Sequence, residues 1–218
     1  MTMTAGERYI PALRFERLTA LYDPVVALTT RERAFKRRVL ELAALHDGED
    51  VLDLACGTGT LAVKAKRATP GASLTGVDGD AAVLRRAREK ARAAGVDVDF
   101  HKGLSTQLPY PDASFDCVLS TLFFHHLSDD AKRATAVEVR RVLRPGGRLV
   151  VADWGRPQDP LMRLAFLPVR VLDGFDLTAA NASGRLPGLL AEGGLHAAVA
   201  DRMRTPLGTV ELLTARRG

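Results

Sequence analysis

Two groups of residues in this 218-residue chain have the types and spacing to do chemistry. The first is Val51-Leu52-Asp53-Leu54-Ala55-Cys56-Gly57-Thr58-Gly59-Thr60. An apolar run ends there in a glycine-rich turn. Gly57 and Gly59 permit a tight bend and a close approach of backbone to a ligand. Asp78 ends the next apolar run, where a carboxylate can grip the two hydroxyls of a ribose. The second group is His125-His126 with Asp153. An imidazole titrates near neutrality, and a carboxylate beside it can fix its tautomer and stabilise its protonated form.

These residues need elements that bring them to one edge, and the chain alternates between two periods. VLDLAC (51–56), SLTGVD (73–78), VDVDFH (96–101), FDCVLST (115–121) and RLVVAD (148–153) have strand character. Between them lie helical stretches: TLAVKAKRA, AAVLRRAREKARAA stopping at Gly95, and a segment starting at a Ser128 cap. Strand–helix repetition of this kind predicts right-handed crossovers and a parallel sheet covered on both faces. Ligands then bind outside the carboxyl ends of the strands. The tail LHAAVADRMRTPLGTVELLTARR predicts an antiparallel hairpin turning at Thr205-Pro206-Leu207-Gly208. One domain is expected over 1–218: a helical cap (1–48), a cofactor-binding core (49–155), a helical lid (156–193) and the hairpin (194–218).

Gly57-Thr58-Gly59-Thr60-Leu61-Ala62 satisfies the dinucleotide fingerprint G-x-G-x-x-A, so an NAD-linked oxidoreductase is one reading. Asp53 argues against it, because a carboxylate there is a poor neighbour for a pyrophosphate at a helix N-terminus. The same acid suits a ligand carrying an ammonium and a sulfonium, such as S-adenosylmethionine. No tyrosine–lysine pair of dehydrogenase type follows.

With VLDLACGTGT, GVDGD, LPYPDASFDCVLS, the HHL after it and EVRRVLRPGGRLVVADW, the chain resembles the class I S-adenosylmethionine-dependent methyltransferases. The likeness is strongest to the small-molecule branch of ubiquinone/menaquinone and natural-product enzymes. It implies an α/β fold, Rossmann-like, with a seven-stranded mostly parallel sheet and a C-terminal antiparallel hairpin. It also implies that Asp53, Ala55, Gly57 and Gly59 line the methionine end of the cofactor and that Asp78 takes the ribose. Gly79, Leu104 and Ser105 would flank the adenine, and Ser120 would lie beneath the sulfonium. Relatives often carry an acid where this chain has Leu104, which removes an acceptor for the adenine amino group; backbone groups or Ser105 are candidates to replace it.

Sugar O-methyltransferases, which the chain also resembles, place a paired-histidine loop and an acid where His125, His126 and Asp153 stand. In similar proteins the first histidine more often faces the acceptor, so His125 is the expected base and His126 the packed partner. Tyr9, Arg14 and Tyr22 are candidates to close over the substrate, and Trp154 to form one wall of its pocket. No metal site is expected. The implied reaction is methyl transfer to a small-molecule acceptor, with oxygen favoured over carbon or nitrogen. The rivals are C- or N-methylation of a quinone-like metabolite, an NAD-linked oxidoreductase and a non-catalytic S-adenosylmethionine-binding protein.

Composition narrows the partners. Hydrophobic residues at 46% and charged residues at 26% describe an ordinary globular chain rather than a disordered one. Two cysteines cannot build a disulfide framework or a four-thiolate zinc site; Cys56 and Cys117 lie in apolar runs and are expected to be buried thiols. The net charge of +5 is spread out. Its densest cluster, Arg31, Arg33, Lys36, Arg37 and Arg38, falls on the predicted wet face of an amphipathic helix, so no nucleic-acid partner is expected. No run is long and apolar enough for a membrane span, and no secretory signal is evident, which favours a cytoplasmic setting. The patch Leu161 to Phe175 suits a substrate lid, a core face or a homodimer surface.

Overall fold

A computed structural model describes residues 31–217. The candidate residues Tyr9, Arg14 and Tyr22, with most of the expected N-terminal cap, lie outside the described residues.

The described chain begins with α1 (Glu32–Ala43) and then alternates: β1 (Asp50–Leu54), α2 (Thr60–Ala68), β2 (Ser73–Asp78), α3 (Ala81–Ala94), β3 (Asp99–Lys102) and β4 (Phe115–Thr121). A 3₁₀ turn over Phe124–His126 leads to α4 (Asp129–Val142) and β5 (Leu143–Trp154). Four short helices follow: α5 (Pro160–Ala165), α6 (Leu167–Asp173), α7 (Phe175–Ala182) and α8 (Leu186–Glu192). The hairpin β6 (His196–Thr205) and β7 (Gly208–Arg216) closes the chain. The strands form one seven-stranded sheet in the order β3-β2-β1-β4-β5-β7-β6. Strands β1 to β5 run parallel, and β7 runs antiparallel to both β5 and β6.

Strand order reverses between β1 and β4, where Leu54 pairs with Ser120, so the carboxyl ends of these two strands open a crevice. Alternation along each strand feeds two cores. Leu149 and Val151 pack with Val139, Val142 and Leu190 on one face. Val150 and Ala152 pack with Phe35, Val39 and Phe166 on the other. A third cluster seats Phe100 against Leu84 and Ala87 of α3.

Local signals place several boundaries where the sequence predicts them. Gly95 ends α3 at φ 65°, and the Ser128 hydroxyl accepts the Ala131 amide at 3.2 Å to start α4. Other boundaries move. Strand β1 stops at Leu54, because Ala55 adopts a left-handed φ of 54° and turns the chain. Strand β3 starts at Asp99 rather than Val96, since the Val96 amide still bonds back to Ala91 in the helix cap. Arg-Pro-Gly-Gly (144–147) is a bulge inside β5 instead of a break before it: Phe115 pairs with Leu143, and the register then jumps to Cys117 with Arg148. Arg144 binds Asp50 and Asp116 there, which holds the bulge against the sheet. The segment expected as a lid holds four helices, divided by Pro168, Gly174 and the Gly184 turn.

No helix among the described residues is long and apolar enough to cross a membrane. Helix α1 is amphipathic as expected, with Phe35, Val39 and Ala43 buried, but Lys36 departs from the wet face. Its ammonium is largely covered and ion-paired to Glu32.

Candidate functional site

The glycine turn is shaped by three successive demands on the backbone. Ala55, Gly57 and Gly59 have φ values of 54°, 54° and 72°. The Cys56 amide donates to the Val77 carbonyl at 3.0 Å, stitching the turn to β2. A Cβ on Gly59 would lie 2.9 Å from the Phe100 ring and 3.0 Å from the Ala87 methyl, so glycine is needed for space as well as for φ. A Cβ on Gly57 would meet no atom within 4 Å. That turn faces open space, as a ligand cradle requires.

Two carboxylates flank the turn. Asp53 is buried, and its Oδ2 accepts the Ala62 amide at 3.0 Å, fixing the start of α2. Burial pushes its carboxyl up to about 7, against the pull of Lys36 and the Ala62 amide. Asp78 is held by backbone donors, among them Gly57 to Oδ2 at 3.0 Å and Asp80 to Oδ1 at 2.9 Å. Burial raises its carboxyl above the usual range, with the amides of Asp80, Gly57 and Gly79 opposing. The carboxylate is therefore preset in position beside the open turn. Gly103 follows the same edge, its amide donating to the Asp78 carbonyl at 3.1 Å.

Leu104 is 51% exposed, and its carbonyl accepts the Gln107 amide at 3.2 Å. Ser105 is committed elsewhere: its hydroxyl lies 2.8 Å from the Thr135 hydroxyl on α4. That contact ties its side chain to α4. Ser120 is buried and donates to the Leu54 carbonyl at 3.2 Å, tying β4 to β1 below the crevice. Cys56 and Cys117 are buried thiols. Burial drives both thiols upward, Cys117 to about 12, so neither is a ready nucleophile.

The second cluster forms where β4 and β5 end side by side. Leu122 turns the chain at φ 51°, and its amide donates to Ala152 at 2.8 Å. Asp153 then gathers the loop. Its Oδ2 accepts the Phe123 amide at 3.1 Å and the His125 amide at 3.3 Å, while Oδ1 lies 2.6 Å from His125 Nδ1 and accepts the Trp154 amide at 2.7 Å. Burial alone would lower the His125 imidazolium, but Asp153 and Asp173 outweigh it and raise the pKa to about 9. Asp153 is correspondingly lowered: burial opposes ionisation, and His125 more than compensates. His126 goes the other way, down to about 4, through burial and repulsion by His125.

The first histidine, expected to be the outward one, is the more buried of the two. His125 is 3% exposed and is the packed member; the His126 side chain keeps 25% of its surface. Asp153 holds both the amide and the ring of His125 inward. Trp154 is also buried, at 4% exposure, with its ring centroid 5.3 Å from Phe166 and 6.4 Å from His125. It fills core beneath the edge and offers little surface for a pocket wall.

The helical segment after β5 brings in a residue that no spacing signalled. Asp173, at the end of α6, places Oδ2 3.5 Å from His125 Nε2 and Oδ1 3.9 Å from His126 Nδ1. Lys132 is buried below, where its ammonium donates to the carbonyls of Leu127 and Leu177, so α4, the histidine turn and α7 share one anchor. On the outer side of the lid, Leu164, Leu167, Pro168, Val171 and Leu172 line an open apolar hollow. Met162, Phe166 and Val169 of the same patch turn inward to the core.

Residues 51–147 match the methyltransferase domain family. A demethylmenaquinone methyltransferase of Thermus thermophilus is 37% identical over 145 residues, 66% of this chain and 65% of the relative, so the match spans less than two thirds of that protein. A ubiquinone/menaquinone biosynthesis C-methyltransferase of Pseudomonas putida is 30% identical over 209 residues, covering 94% of this chain and 78% of the relative. A solved S-adenosylmethionine-dependent methyltransferase from Aquifex aeolicus superposes with a TM-score of 0.67, covering 97% of this chain and all of the other, at 20% identity. At that identity the likeness is one of fold.

Proposed function

The chain belongs to the methyltransferase domain family, and from that premise we propose that it transfers a methyl group from S-adenosylmethionine to an oxygen of a small hydroxylated acceptor. The observation that carries this reading is the preset Asp78 carboxylate beside an open, glycine-lined turn, with the Asp153–His125 pair on the same edge of the sheet.

The turn fits the cofactor. Gly57 faces open space, Asp78 is oriented to accept from ribose hydroxyls, and Leu104 offers an apolar face to a purine. Asp53, Ala55 and Gly59 shape the methionine end, and Ser120 supports the floor of the crevice. When bound, the cofactor supplies an electrophilic methyl on a sulfonium, whose carbon–sulfur bond breaks with the electron pair remaining on sulfur. The protein's part is to align the acceptor oxygen, exclude water and accommodate the hydroxyl proton. His125 already keeps its proton against Asp153 and so sets the charge and geometry of the edge. Accepting the substrate proton falls to the partly exposed His126 and Asp173.

Carbon methylation is the second reading, favoured by the names of the quinone-pathway relatives. Both readings need a hydroxylated acceptor and the same edge. Incubation with methyl-labelled S-adenosylmethionine and a panel of phenols, hydroquinones and sugars tests them. An O-methyl product supports the proposal, and a C-methyl product on the ring replaces it with the second reading. Binding of NADH in place of S-adenosylmethionine would overturn both.

A further inference from the structure

We propose that His125, His126 and Asp173 form a binding site for one first-row divalent metal ion, joining the histidine turn to the lid. The inference deepens the methyl-transfer reading at its acceptor edge.

The donor atoms of these residues all lie within 4.8 Å of one another. Asp173 oxygens stand 3.5 Å from His125 Nε2 and 3.9 Å from His126 Nδ1. Ligands bonded at about 2.0–2.2 Å in a tetrahedral shell lie about 3.3–3.6 Å apart, so an ion would draw the donor atoms together from separations of up to 4.8 Å. Two imidazoles and one carboxylate on one side of an ion match the facial arrangement used by iron, zinc and their neighbours, with further positions left open.

The surroundings support an ion rather than a chance meeting of side chains. Asp153 Oδ1, 2.6 Å from His125 Nδ1, is the outer carboxylate that orients a metal-bound imidazole and leaves Nε2 directed at the ion. Two carboxylates thus bracket two imidazoles, and a divalent charge balances both with the rings neutral. Among the described residues, the nearby cation Lys132 is taken up by the Leu127 and Leu177 carbonyls and by Asp129, leaving Asp173 to the histidines. The ligands come from two separate elements, so a bound ion would hold α6 over the edge. Its open positions would receive an oxygen donor, selecting hydroxylated acceptors and making their protons easier to lose, and with the ion bound His126 and Asp173 would serve as its ligands instead of as proton acceptors.

Titration of the metal-free chain with Co(II), followed in the visible region, tests the site, with Zn(II) competition as a second measure. One equivalent of Co(II) should give ligand-field bands, displaced by Zn(II) and accompanied by proton release. His126→Ala and Asp173→Asn should each weaken binding by at least tenfold, and Asp153→Asn by about 10–100-fold through loss of orientation. S-adenosylmethionine-induced thermal stabilisation should persist in His126→Ala and Asp173→Asn, showing that these proteins are folded. Absence of a stoichiometric site in the wild type, or equal affinity in the ligand variants, would overturn the proposal. Metal binding without any response to S-adenosylmethionine would instead uphold the site and remove the methyl-transfer reading.

Discussion

Asp153 grips His125 twice, with one carboxylate oxygen 2.6 Å from the ring Nδ1 and the other 3.3 Å from the residue's own amide nitrogen. The side chain and backbone of the histidine turn are thereby fixed to the end of β5. Removing one partner of a buried charged pair leaves the other uncompensated, so Asp153→Ala should cost about 3–5 kcal/mol in denaturant unfolding. A cost below about 1 kcal/mol would show that the pair is not a structural anchor.

The same pair sets a pH window. His125 has its pKa raised from the ordinary 6.5 to about 9, so its contribution is fully present below about 6.5 and fades as pH rises through 9. Asp153 is lowered, so its contribution is present above the ordinary carboxylate range and is lost on acidification. Stability of the metal-free protein should decline between about pH 6.5 and 9. His125→Gln should flatten that decline. Melting temperatures across this range, taken in chelator, check it; a parallel decline in the variant would place the titration elsewhere.

His125→Ala should act mainly on stability, and His126→Ala mainly on turnover, in contrast to the assignment that the resemblance to similar proteins implies. General-base assistance is worth about 10²–10⁴ in rate, so His126→Ala should lower turnover at saturating cofactor within that range. Undiminished turnover would mean that the acceptor arrives already ionised or that proximity alone suffices.

Asp78→Ala should abolish most of the thermal stabilisation by S-adenosylmethionine, because it removes the ribose acceptor and releases the Gly57 and Asp80 amides. Leu104→Asp should tighten cofactor binding by about 1 kcal/mol, roughly fivefold, by supplying the carboxylate acceptor for the adenine amino group that relatives carry there. Calorimetric titration reads both. Weaker binding in Leu104→Asp would show that the leucine is needed as an apolar cover.

Gly59→Ala and Gly57→Ala separate two reasons for glycine. Both require a left-handed φ, at a cost of about 1 kcal/mol, but only Gly59 also has Phe100 and Ala87 within 3.0 Å of the added carbon. Gly59→Ala should therefore destabilise by about 1–3 kcal/mol more than Gly57→Ala in urea unfolding. Equal losses would mean that the Phe100 ring moves aside freely.

Local physics made much of this protein legible from its sequence. The apolar runs that became β2 and β4, the Gly95 stop, the Ser128 cap and the glycine turn ahead of α2 each depend on residues within a few positions of one another. Short-range hydrogen bonds and backbone sterics write such features into the chain itself. Alternation of these elements then implied the parallel sheet and the edge at which Asp53, Asp78, His125 and Asp153 meet. Tertiary structure alone decided which way these side chains face. Asp153 drew His125 inward and left His126 partly exposed, and Thr135 paired with Ser105 across the fold. Asp173 reached the histidines only because Pro168 and Gly174 divide the lid into short helices that return to the sheet. Periodicity states which side of an element is apolar, but a polar side chain's partner depends on which distant segment folds back against it.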